Sequence, residues 1–447
     1  MNSRRDFIKK TLITSAAVSF GGILPAFSAK SYNNIIGANE RFRVSMMGVN
    51  SRGKALAENF ASQHNSEIIH ICDVDSRAIS ACQTAISKFQ KTPATAYGDF
   101  RKSLESKDVD ILVVAAPDHW HAPTAILASQ AGKSVYLEKP CSHNPREGEI
   151  LIDAVNKYKN VIQMGNQRRS WPNVIKGIQA VHSGVIGKVS FAKTWYTNNR
   201  PSIGVGKQTE VPSWLNYDLW QGPAPRKKYQ DNMLHYNWHW FWHWGTGEAL
   251  NNGTHMVDIA RWGLQVDYPT KVTSNGGRYA YQDDWETPDT QIINLEFGKD
   301  KFITWEGRSC NAMTIEGSNV GVMFYGSNGS IQIDGANSYK LFDVKGKLVE
   351  EVKDEGPINT ASLTSPSQLL DAIHIQNFLS AIKEGKNLNS DIVSGHKSTL
   401  LVQLGNIALR VGNELVIDPN NGRIINDKNA MSNFWSREYE KGWEPKI

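Results

Sequence analysis

The chain has 447 residues, of which 40% are hydrophobic and 21% are charged, and its formal net charge at pH 7 is +5. This length allows two domains with hydrophobic cores, and the composition is typical of a soluble globular protein. Arg4, Arg5, Lys9 and Lys10 against Asp6 contribute +4 − 1 = +3, which leaves +2 for the rest of the chain. With no basic patch interleaved with aromatic residues, this balance argues against a nucleic-acid-binding protein.

The N-terminal segment is typical of an export signal. In "SRRDFIKK", Arg4 and Arg5 precede a short apolar stretch from Thr11 to Phe27 that is diluted with Ser and Gly and ends near small residues. We therefore predict that residues 1–28 are a bacterial twin-arginine signal peptide, which directs export of folded proteins. The expected location is the periplasm, and nothing downstream is apolar enough to span a membrane.

Residues 41–167 alternate short apolar strands with amphipathic helices. The strands are predicted in "RFRVSMMGV", "SEIIHICDV", "DVDILVVAAP", "KSVYLEK" and "VIQMGNQ", and helical patterns lie between them. This alternation predicts βαβ units and a doubly wound parallel sheet, the Rossmann arrangement.

Residues 168–415 have a different pattern. Strand-like runs such as "KVSFAKTWYT" and "TPDTQIINLEF" follow one another with Gly and Asn turns, so we predict a mainly antiparallel sheet. One helix is expected near "GEALNNGTHMVDIARWGL", and two late helices in "PSQLLDAIHIQNFLSAIKEG" and "SGHKSTLLVQLGNIALRVG". Residues 416–447 form a polar tail without a clear pattern. The predicted fold is therefore an α/β domain followed by an α+β domain.

A candidate nucleotide site follows the first predicted strand. "GVNSRG" contains Gly48, Asn50, Ser51, Arg52 and Gly53. Small residues in such a turn let backbone N–H groups approach a pyrophosphate at a helix N-terminus. Asn50 replaces the middle glycine of the full fingerprint, but Asn tolerates left-handed backbone angles. An ordinary tight βα turn is the alternative.

The end of the second predicted strand strengthens the nucleotide prediction. Asp73 in "HICDVD" lies 25 residues after Gly48, where a carboxylate accepts hydrogen bonds from the ribose hydroxyls and repels a 2′-phosphate. This favours NAD over NADP. Asp75 is a near alternative for that role, and Asp73 could instead cap the following helix.

Cysteine and histidine spacing gives no metal site. The four cysteines form no CxxC pair, so we expect buried free thiols, with a Cys72–Cys82 disulfide as the alternative. His119 and His121 in "DHWHAP" lack the third and fourth ligands that zinc requires. We therefore expect no metal, and His121 is expected to be structural or a cofactor contact.

Three longer segments carry a family resemblance. "AAPDHWHAPTAILASQAGKSVYLEKP" runs from Ala115 to Pro140, "MGNQRRS" starts at Met164, and "GTGEALNNGTHMVDIARW" runs from Gly245 to Trp262. Together with "GVNSRG", they resemble the Gfo/Idh/MocA oxidoreductases, which include glucose–fructose oxidoreductase and inositol dehydrogenase. The resemblance implies a Rossmann domain, an open-faced antiparallel sheet and late helices that fold back on the first domain. It also implies an enzyme that transfers a hydride between NAD(P) and a sugar or polyol. The resemblance further implies that the protein forms dimers or tetramers.

The resemblance also implies site residues. In the family the "EKP" lysine, here Lys139, lies beside the nicotinamide and substrate, and the family's histidine matches His255. Asn251 stands where many members have Asp, which puts a carboxylate-assisted proton relay at this position in doubt. The cofactor contacts expected beyond the Gly48–Gly53 turn and Asp73 are Pro117, His119, His121, Glu138, Lys139, Asn166 and Gln167.

Alcohol oxidation needs a hydride acceptor and a base. NAD takes the hydride, and His is a natural base because its ordinary pKa is about 6.5. Lys139 could polarise the same hydroxyl or stabilise the alkoxide. On an α-helix Asn251, His255 and Asp258 share one stripe, so Asp258 could orient the imidazole. The choice of base between His255 and Lys139 stays open, and a structural role for His255 is the alternative.

The stretch "YNWHWFWHWG" supplies candidate substrate contacts. If it were extended, its four tryptophans would share one face suited to stacking on sugar rings; packing beneath the sheet or at a subunit interface is the alternative. The predicted substrate contacts are Arg168, Tyr196, Trp238, His239 and His243.

An NAD enzyme exported in the folded state would carry its cofactor with it and reset that cofactor in each turnover. We therefore predict a glycoside oxidoreductase acting at C3, with tightly bound, internally recycled NAD. An NAD-dependent glycosidase that oxidises C3 transiently is the first alternative. A periplasmic sugar-binding protein is an alternative from another class.

Overall fold

The computed structural model describes residues 41–354 and 368–447. The predicted signal peptide, residues 1–28, lies outside the described residues.

The first domain is built on a six-stranded sheet in which every neighbouring pair is parallel. Its spatial order is β3-β2-β1-β4-β5-β6, the order of a dinucleotide-binding Rossmann sheet. The predicted doubly wound sheet is confirmed. The strands are β1 (Phe42–Met47), β2 (Ser66–Cys72), β3 (Thr95–Tyr97), β4 (Ile111–Val114), β5 (Ser134–Leu137) and β6 (Ile162–Met164).

Helices connect these strands, as the alternating pattern predicts. Their amphipathic faces pack on the sheet; Leu56 and Phe60 of the first helix are fully buried, for example. The helices are α1 (Arg52–Ser62), α2 (Ser76–Ile86), α3 (Phe100–Leu104), α4 (His121–Gln130) and α5 (Pro145–Tyr158). Short 3₁₀ turns lie at Asp118–Trp120 and Gln167–Ser170.

The second domain contains a nine-stranded sheet of order β14-β13-β12-β11-β7-β10-β9-β8-β15. Only the central pair β7–β10 is parallel, so the mainly antiparallel prediction is confirmed. The strands are β7 (Val189–Thr197), β8 (Lys271–Gly277), β9 (Thr290–Phe297), β10 (Lys301–Arg308), β11 (Val320–Gly326), β12 (Gly329–Asp334), β13 (Tyr339–Asp343), β14 (Leu348–Val352) and β15 (Leu415–Val416).

One face of this sheet carries the core of the second domain. Helix α6 (Pro172–His182) and helix α8 (Thr254–Leu264) bury Ile178 and Val257 in the same cluster as sheet residues. A short helix, α7 (Tyr217–Gln221), lies in the long connection between β7 and α8. Because side chains alternate along a strand, Phe191 lies on the other face, where it stacks on Phe302 and Tyr325.

The helix predicted around residues 245–262 forms, but it starts as a π-helix. Ala249–Gly253 is π-helical and continues directly into α8. A π turn is closed by i→i+5 hydrogen bonds, so side chains across it do not keep α-helical spacing. Asn251 therefore does not keep α-helical spacing to His255 and Asp258, which both lie within α8.

The late helices connect the domains. Helix α9 (Gln368–Glu384) places Phe378 and Leu379 in the hydrophobic cluster of the first domain, beside Phe60 and Tyr136. Helix α10 (Ile392–Val411) is buried along most of its length and contributes Ile392 to a first-domain cluster and Leu400 to the second-domain core.

The segment after residue 416 is ordered by packing, although its sequence shows no clear pattern. It contains helix α11 (Lys428–Phe434), followed by the buried Trp435. Trp443 packs edge-on against Trp120 of the first domain. Aromatic side chains spaced far apart along a polar segment thus fix it to the surface.

Three further properties concern only the described ranges. All four cysteines there are free thiols. No group of three or more His, Cys, Asp or Glu side chains within residues 41–354 and 368–447 is arranged to hold a metal ion. No helix in the same ranges has both the length and the apolar character required to cross a bilayer.

Candidate active site

A cavity of about 1030 Å³ lies at the carboxyl ends of β1, β2 and β4, where a doubly wound sheet binds its ligands. One side is lined by the first domain and the other by β7, the π-helix and the long connection after β7. Its volume is at the upper end of the usual range for ligand sites, about 300–1,000 Å³.

The turn after β1 provides the floor of one end of this cavity. Gly48 has φ +76° and lies so close to the β4 end that a Cβ there would be 2.7 Å from the Ala116 nitrogen. A Cβ on Gly53 would lie 1.7 Å from the Gly48 oxygen, so helix α1 can pack on β1 only with glycine there. Asn50 and Ser51 line the cavity, and Ser51 has φ +37°. The turn therefore presents backbone and small side chains to a ligand.

Asp73, which follows β2, lines the cavity near this turn. Its carboxylate accepts hydrogen bonds from the backbone N–H groups of Val49, at 2.7 Å, and Asp75, at 2.9 Å. Burial raises the pKa of Asp73, while these two hydrogen bonds act in the opposite direction. Asp75, not Asp73, caps α2 by accepting from the Arg77 N–H. Asp73 is thus free of the capping role and lines the cavity.

Lys139 follows β5 and lines the cavity. Its Nζ donates to the backbone oxygen of Asn251 at 2.5 Å and to Asn251 Oδ1 at 3.3 Å. The Lys139–Pro140 peptide bond is cis. Burial lowers the pKa of the Lys139 ammonium, and the carboxylates of Glu138 and Asp118 act against this effect. An ammonium held here can donate to a ligand oxygen.

Glu248 organises the second-domain wall. Its carboxylate pairs with Arg200 at 2.5 Å and accepts hydrogen bonds from the amides of Asn251, at 3.2 Å, and Asn252. The Asn251 amide nitrogen also donates to the Tyr236 hydroxyl at 3.2 Å. Because this nitrogen faces two acceptors, the Asn251 side-chain oxygen is turned towards Lys139.

His255 lines the cavity with an imidazole that has no hydrogen-bond partner among the described residues. Burial, with the positive charges of Arg168 and Lys139, lowers the pKa of His255 well below its ordinary value. The ring is therefore neutral near pH 7 and keeps one nitrogen able to accept a proton. A buried polar group without a partner is uncommon and is often explained by function.

A second imidazole, that of His239, lines the cavity next to aromatic residues. The His239 Nδ1 lies 2.6 Å from the Tyr236 carbonyl oxygen, and the ring stacks on Trp238 with centroids 3.6 Å apart. A carbonyl only accepts, so Nδ1 carries the proton and Nε2 is left as an acceptor. Burial lowers the pKa of His239 well below its ordinary value. Tyr196 lies in the same wall, where its hydroxyl accepts from Asn198.

Arg52 links the nucleotide turn to both domains. Its guanidinium pairs with Glu138, at 2.9 Å, and with Asp371 of α9, at 2.7 Å. Gln167 donates to the same Glu138 carboxylate at 3.2 Å. These contacts place the predicted cofactor residues Arg52, Glu138 and Gln167 in one network along the cavity.

Most of the residues predicted from the sequence line this single cavity. The nucleotide end, the lysine and histidine pair and the aromatic wall are brought together from separate elements. The predicted residues that line it are Gly48, Asn50, Ser51, Arg52, Asp73, Pro117, His121, Glu138, Lys139, Gln167, Tyr196, Trp238, His239, Asn251 and His255.

Three predicted residues lie behind the wall: His119 and Asn166 of the first domain, and Arg168 at the start of the second. His119 is fully buried, and its Nε2 lies 3.0 Å from the Trp220 carbonyl, so it holds the long connection and does not line the cavity. Asn166 is 1% exposed and also lies behind the lining residues. Arg168 donates to the Gly335 carbonyl at 2.9 Å and stacks on Trp171. The predicted substrate contact of Arg168 is wrong because that guanidinium faces the protein interior.

Two predictions in the second domain are also wrong. Asp258 does not orient His255: it forms a buried ion pair with Arg169 at 2.7 Å and accepts from Ser398 at 2.6 Å. His243 lines a different, smaller cavity, where its Nε2 lies 2.7 Å from the Pro225 carbonyl. Asp258 lies within α8 but is drawn to Arg169 and Ser398, and His243 lies in a turn, so neither side chain lines the main cavity.

The aromatic stretch is not extended. Asn237–Trp240 forms a 3₁₀ turn, so the four tryptophans do not share a face. Trp240 stacks on Trp285 with centroids 4.0 Å apart, and Trp244 packs against Trp220. Only Trp238 of the four lines the main cavity. Packing, the alternative considered for this stretch, accounts for Trp240 and Trp244.

Several cavity residues were not selected from the sequence. Arg200, Tyr236 and Asn252 line the wall, and Glu248 supports it from behind. The available signal was a single charged residue in each of two short, otherwise uncharged segments, Glu248 in "GTGEAL" and Arg200 in "NNRP". They could not be assigned because their partners lie on different elements.

The residues of this cavity fit NAD. The Gly48–Gly53 turn packs closely because its two glycines carry no Cβ, and the half-buried Asp73 carboxylate lines the cavity, where it can accept hydrogen bonds from a ribose. A carboxylate at this point would repel a 2′-phosphate, which agrees with NAD over NADP. Lys139 and His255 line the same cavity.

Comparisons with known proteins agree with this arrangement. Residues 42–166 match the model described as "Oxidoreductase family, NAD-binding Rossmann fold" of GFO_IDH_MocA, and residues 171–333 and 322–441 match that described as "Oxidoreductase family, C-terminal alpha/beta domain". These matches cover most of the chain.

Curated relatives include two glycosyl hydrolase family 109 proteins. The one from Shewanella sp. (strain ANA-3) is 29% identical over 294 residues, which are 62% of this chain and 60% of the relative. The one from Saccharopolyspora erythraea is 27% identical and shares 51% of this chain and 55% of its own length. The chain thus spans little more than half the length of these relatives.

Solved structures show the same fold. A levoglucosan dehydrogenase in complex with NADH and levoglucosan has a TM-score of 0.66 at 17% identity, over 84% of this chain and 99% of its own. The WlbA dehydrogenase from Bordetella pertussis, in complex with NADH and UDP-GlcNAcA, has a TM-score of 0.62 at 17% identity, over 85% and 99%. On its family matches, its sheet order and its nucleotide turn, this chain belongs to the Gfo/Idh/MocA family of NAD-binding oxidoreductases.

Proposed function

We propose that this protein oxidises a secondary alcohol of a sugar or glycoside, at C3 of a glycoside, with tightly bound NAD that is recycled on the enzyme. The observation that carries the proposal is the placement of Lys139 and His255 in one cavity with the Gly48 turn and Asp73. The aromatic wall of Tyr196, Tyr236 and Trp238 supports a carbohydrate ligand, since ligand sites combine such apolar surface with a few fixed polar groups.

Bound NAD supplies the hydride acceptor that no protein side chain provides. The Lys139 ammonium donates a hydrogen bond to the reacting oxygen and stabilises the negative charge that develops on it. The neutral imidazole of His255 accepts the hydroxyl proton. The His239 Nε2 accepts a hydrogen bond from a neighbouring hydroxyl of the sugar and so orients the sugar ring.

Asn251 has a different role from the carboxylate that many family members have at this position. Its amide nitrogen is held by Glu248 and Tyr236, so its oxygen is fixed towards Lys139. A neutral oxygen directs the ammonium without adding a negative charge. Lys139 therefore keeps the lowered pKa that its burial imposes.

The second candidate is a glycosidase, which the similarity to glycosyl hydrolase family 109 proteins favours. A transient ketone at C3 would acidify the C2 proton and permit elimination of the C1 substituent. Both candidates use the same first oxidation. They differ in the product, which is a keto sugar formed with a separate acceptor in one case and a free reducing sugar in the other.

Export and assembly belong to the same proposal. The twin-arginine segment in "SRRDFIKK" supports export of the folded holoenzyme to the periplasm, where a retained cofactor would be required. The partly exposed aromatic ladder of Phe191, Phe302 and Tyr325 supports a homo-oligomer formed through the sheet.

The test is the absorbance spectrum and extracted nucleotide content of purified folded protein, before and after a β-glucoside is added. Near-stoichiometric NAD that becomes reduced supports the proposal. Lys139→Met should retain the nucleotide and lose the reduction. Folded wild-type protein that holds no nucleotide and takes up no added NAD would overturn it and favour a sugar-binding protein.

A further inference from the structure

A segment of the second domain lies across the nucleotide end of the cavity. We define the strap as residues 212–239, which contain helix α7 and belong to the long connection between β7 and α8. Its backbone bonds to the loop after β2, which carries Asp73: Ser76 N–H donates to the Trp214 carbonyl at 3.1 Å, and Asn216 N–H donates to the Val74 carbonyl at 2.9 Å. The strap is therefore joined to the very loop that would hold the ribose.

Side chains fasten the same junction. His235 Nε2 lies 2.8 Å from Asp75 Oδ2. Arg77 binds the same carboxylate at 2.9 Å, and its guanidinium lies 3.4 Å from the centre of the Trp214 ring. Asp75 thus holds one side chain from each domain. Because Asp75 and His235 are largely shielded from water, this contact is stronger than an exposed pair.

The middle of the strap, at Trp220, is anchored in the first domain as well. The Trp220 carbonyl accepts hydrogen bonds from Trp120 Nε1 at 2.9 Å and from His119 Nε2 at 3.0 Å. Leu215 and Tyr217 are buried in a small cluster with Trp220. This anchoring accounts for the burial of His119, which was predicted as a cofactor contact.

The strap is also a wall of the main cavity. Leu219, Trp220 and His235 line it together with Asn50 and Asp73 of the first domain. A ligand that contacts Asp73 therefore lies between the first domain and the strap. Its release requires the Asp75–His235 and Arg77–Trp214 contacts to separate or the ligand to pass beneath them.

We infer that the strap, fastened by His235 and Trp214, forms the outer wall of the dinucleotide site and slows release of the nucleotide. The inference rests on the proposed function in one respect, since it supplies the retention that a recycled cofactor requires. His235 and Trp214 are positioning residues here, because they act by holding the strap on Asp75 and Arg77.

The test is the dissociation rate of NADH from purified full-length protein, followed by the loss of nucleotide fluorescence on dilution. His235→Ala and Trp214→Ala should each raise this rate about tenfold or more, the effect expected on losing a contact to a charged group. His235→Gln, which keeps a donor for Asp75, should restore most of the retention. If Trp214→Ala does not fold, Arg77→Met removes the same stacking from an exposed side chain.

Trp242→Ala is the matched control. Trp242 also stacks on an arginine, with 4.8 Å between Arg410 and the ring centre, but it does not line the main cavity. It should leave the NADH dissociation rate unchanged. Equal rates in wild type, His235→Ala and Trp214→Ala would overturn the strap inference. Wild-type protein could be purified without nucleotide and still release added NADH more slowly than these variants. That result would support the strap inference and would contradict only the proposal that NAD is recycled on the enzyme.

Discussion

Lys139 Nζ donates a hydrogen bond to the backbone oxygen of Asn251 at a distance of 2.5 Å. The lysine follows the fifth strand of the Rossmann sheet, and the asparagine lies in the π-helix of the second domain. This contact joins the two halves of the candidate site at the point where the reacting oxygen is expected. The first predictions test its chemical consequences.

On the proposed mechanism, replacement of Lys139 removes the group that stabilises the negative charge on the substrate oxygen. Lys139→Met should lower the rate of the hydride step by about 10²–10³, the usual loss on removal of one such donor. NADH affinity should change little, since the Gly48 turn and Asp73 are untouched. Single-turnover absorbance measures the step; a rate within a factor of three of wild type would remove Lys139 from the mechanism.

Replacement of His255 and replacement of His239 should affect different kinetic parameters. His255→Ala should lower the rate of the hydride step by about 10²–10⁴, because a positioned base contributes that factor. His239→Ala should mainly raise KM, because its Nε2 orients a hydroxyl that does not react. Steady-state and single-turnover rates on both variants distinguish the roles. The reverse pattern would assign the proton transfer to His239.

The pH dependence should report the Lys139 ammonium. Burial lowers the pKa of Lys139 from its ordinary 10.5, so the wild-type rate should fall on the alkaline side as pH rises through that lower value. Asn251→Asp adds a negative charge beside the ammonium, raises its pKa and should move this alkaline limb upward by about one pH unit. The profile of kcat/KM measures the shift.

Asn252→Asp is the control for that shift. Asn252 shares the partner Glu248 with Asn251 but makes no hydrogen bond to Lys139. The alkaline limb of the kcat/KM profile of Asn252→Asp should stay at the wild-type pH, even if the activity of this variant falls. Equal shifts in both variants would attribute the effect to the charge of the cavity as a whole.

The main parts of the fold follow from local sequence patterns. Alternating strands and helices predict the Rossmann sheet, because each element has its own apolar period. The "GVNSRG" turn and Asp73 could be located for a similar reason, since both immediately follow predicted strands. The resemblance in "EKP" and "NNGTHMVD" then indicated Lys139 and His255.

The errors arise where distant residues decide the geometry. Asp258 was expected to serve His255, but Arg169, 89 positions earlier in the chain, takes its carboxylate. The Trp-rich stretch was considered as an extended segment, but Trp285 binds Trp240 and the backbone coils into a 3₁₀ turn. The spacing of residues within one segment contains no information about partners from distant parts of the chain.

The corrected role of Asp258 predicts a loss of stability. Asp258→Asn should lower the free energy of unfolding by about 3–5 kcal/mol, because it leaves the buried Arg169 charge without its partner. Burial would raise the pKa of Asp258, but Arg169, Arg261 and Ser398 hold it below its ordinary 3.8. This contribution is therefore complete above the unfolded pKa and is lost as pH falls, and the variant should lack that acid-side decrease.

Asp267→Asn provides the comparison for this stability test. Asp267 pairs with Arg261 at 3.0 Å, but its side chain is 55% exposed, so its loss should cost less than about 1 kcal/mol. Urea unfolding of both variants gives the two values. Equal small losses would contradict a structural role for Asp258 and reopen its assignment to the active site.

The nucleotide turn gives a prediction that depends on backbone packing alone. A Cβ on Gly53 would lie 1.7 Å from the Gly48 oxygen, so Gly53→Ala must displace the turn from α1. We expect NADH affinity to fall at least about tenfold, or 1.4 kcal/mol, by fluorescence titration. Gly98→Ala is the control, since Gly98 borders the same cavity and a Cβ there meets no protein atom within 4 Å. Wild-type affinity in Gly53→Ala would show that the turn does not hold the nucleotide.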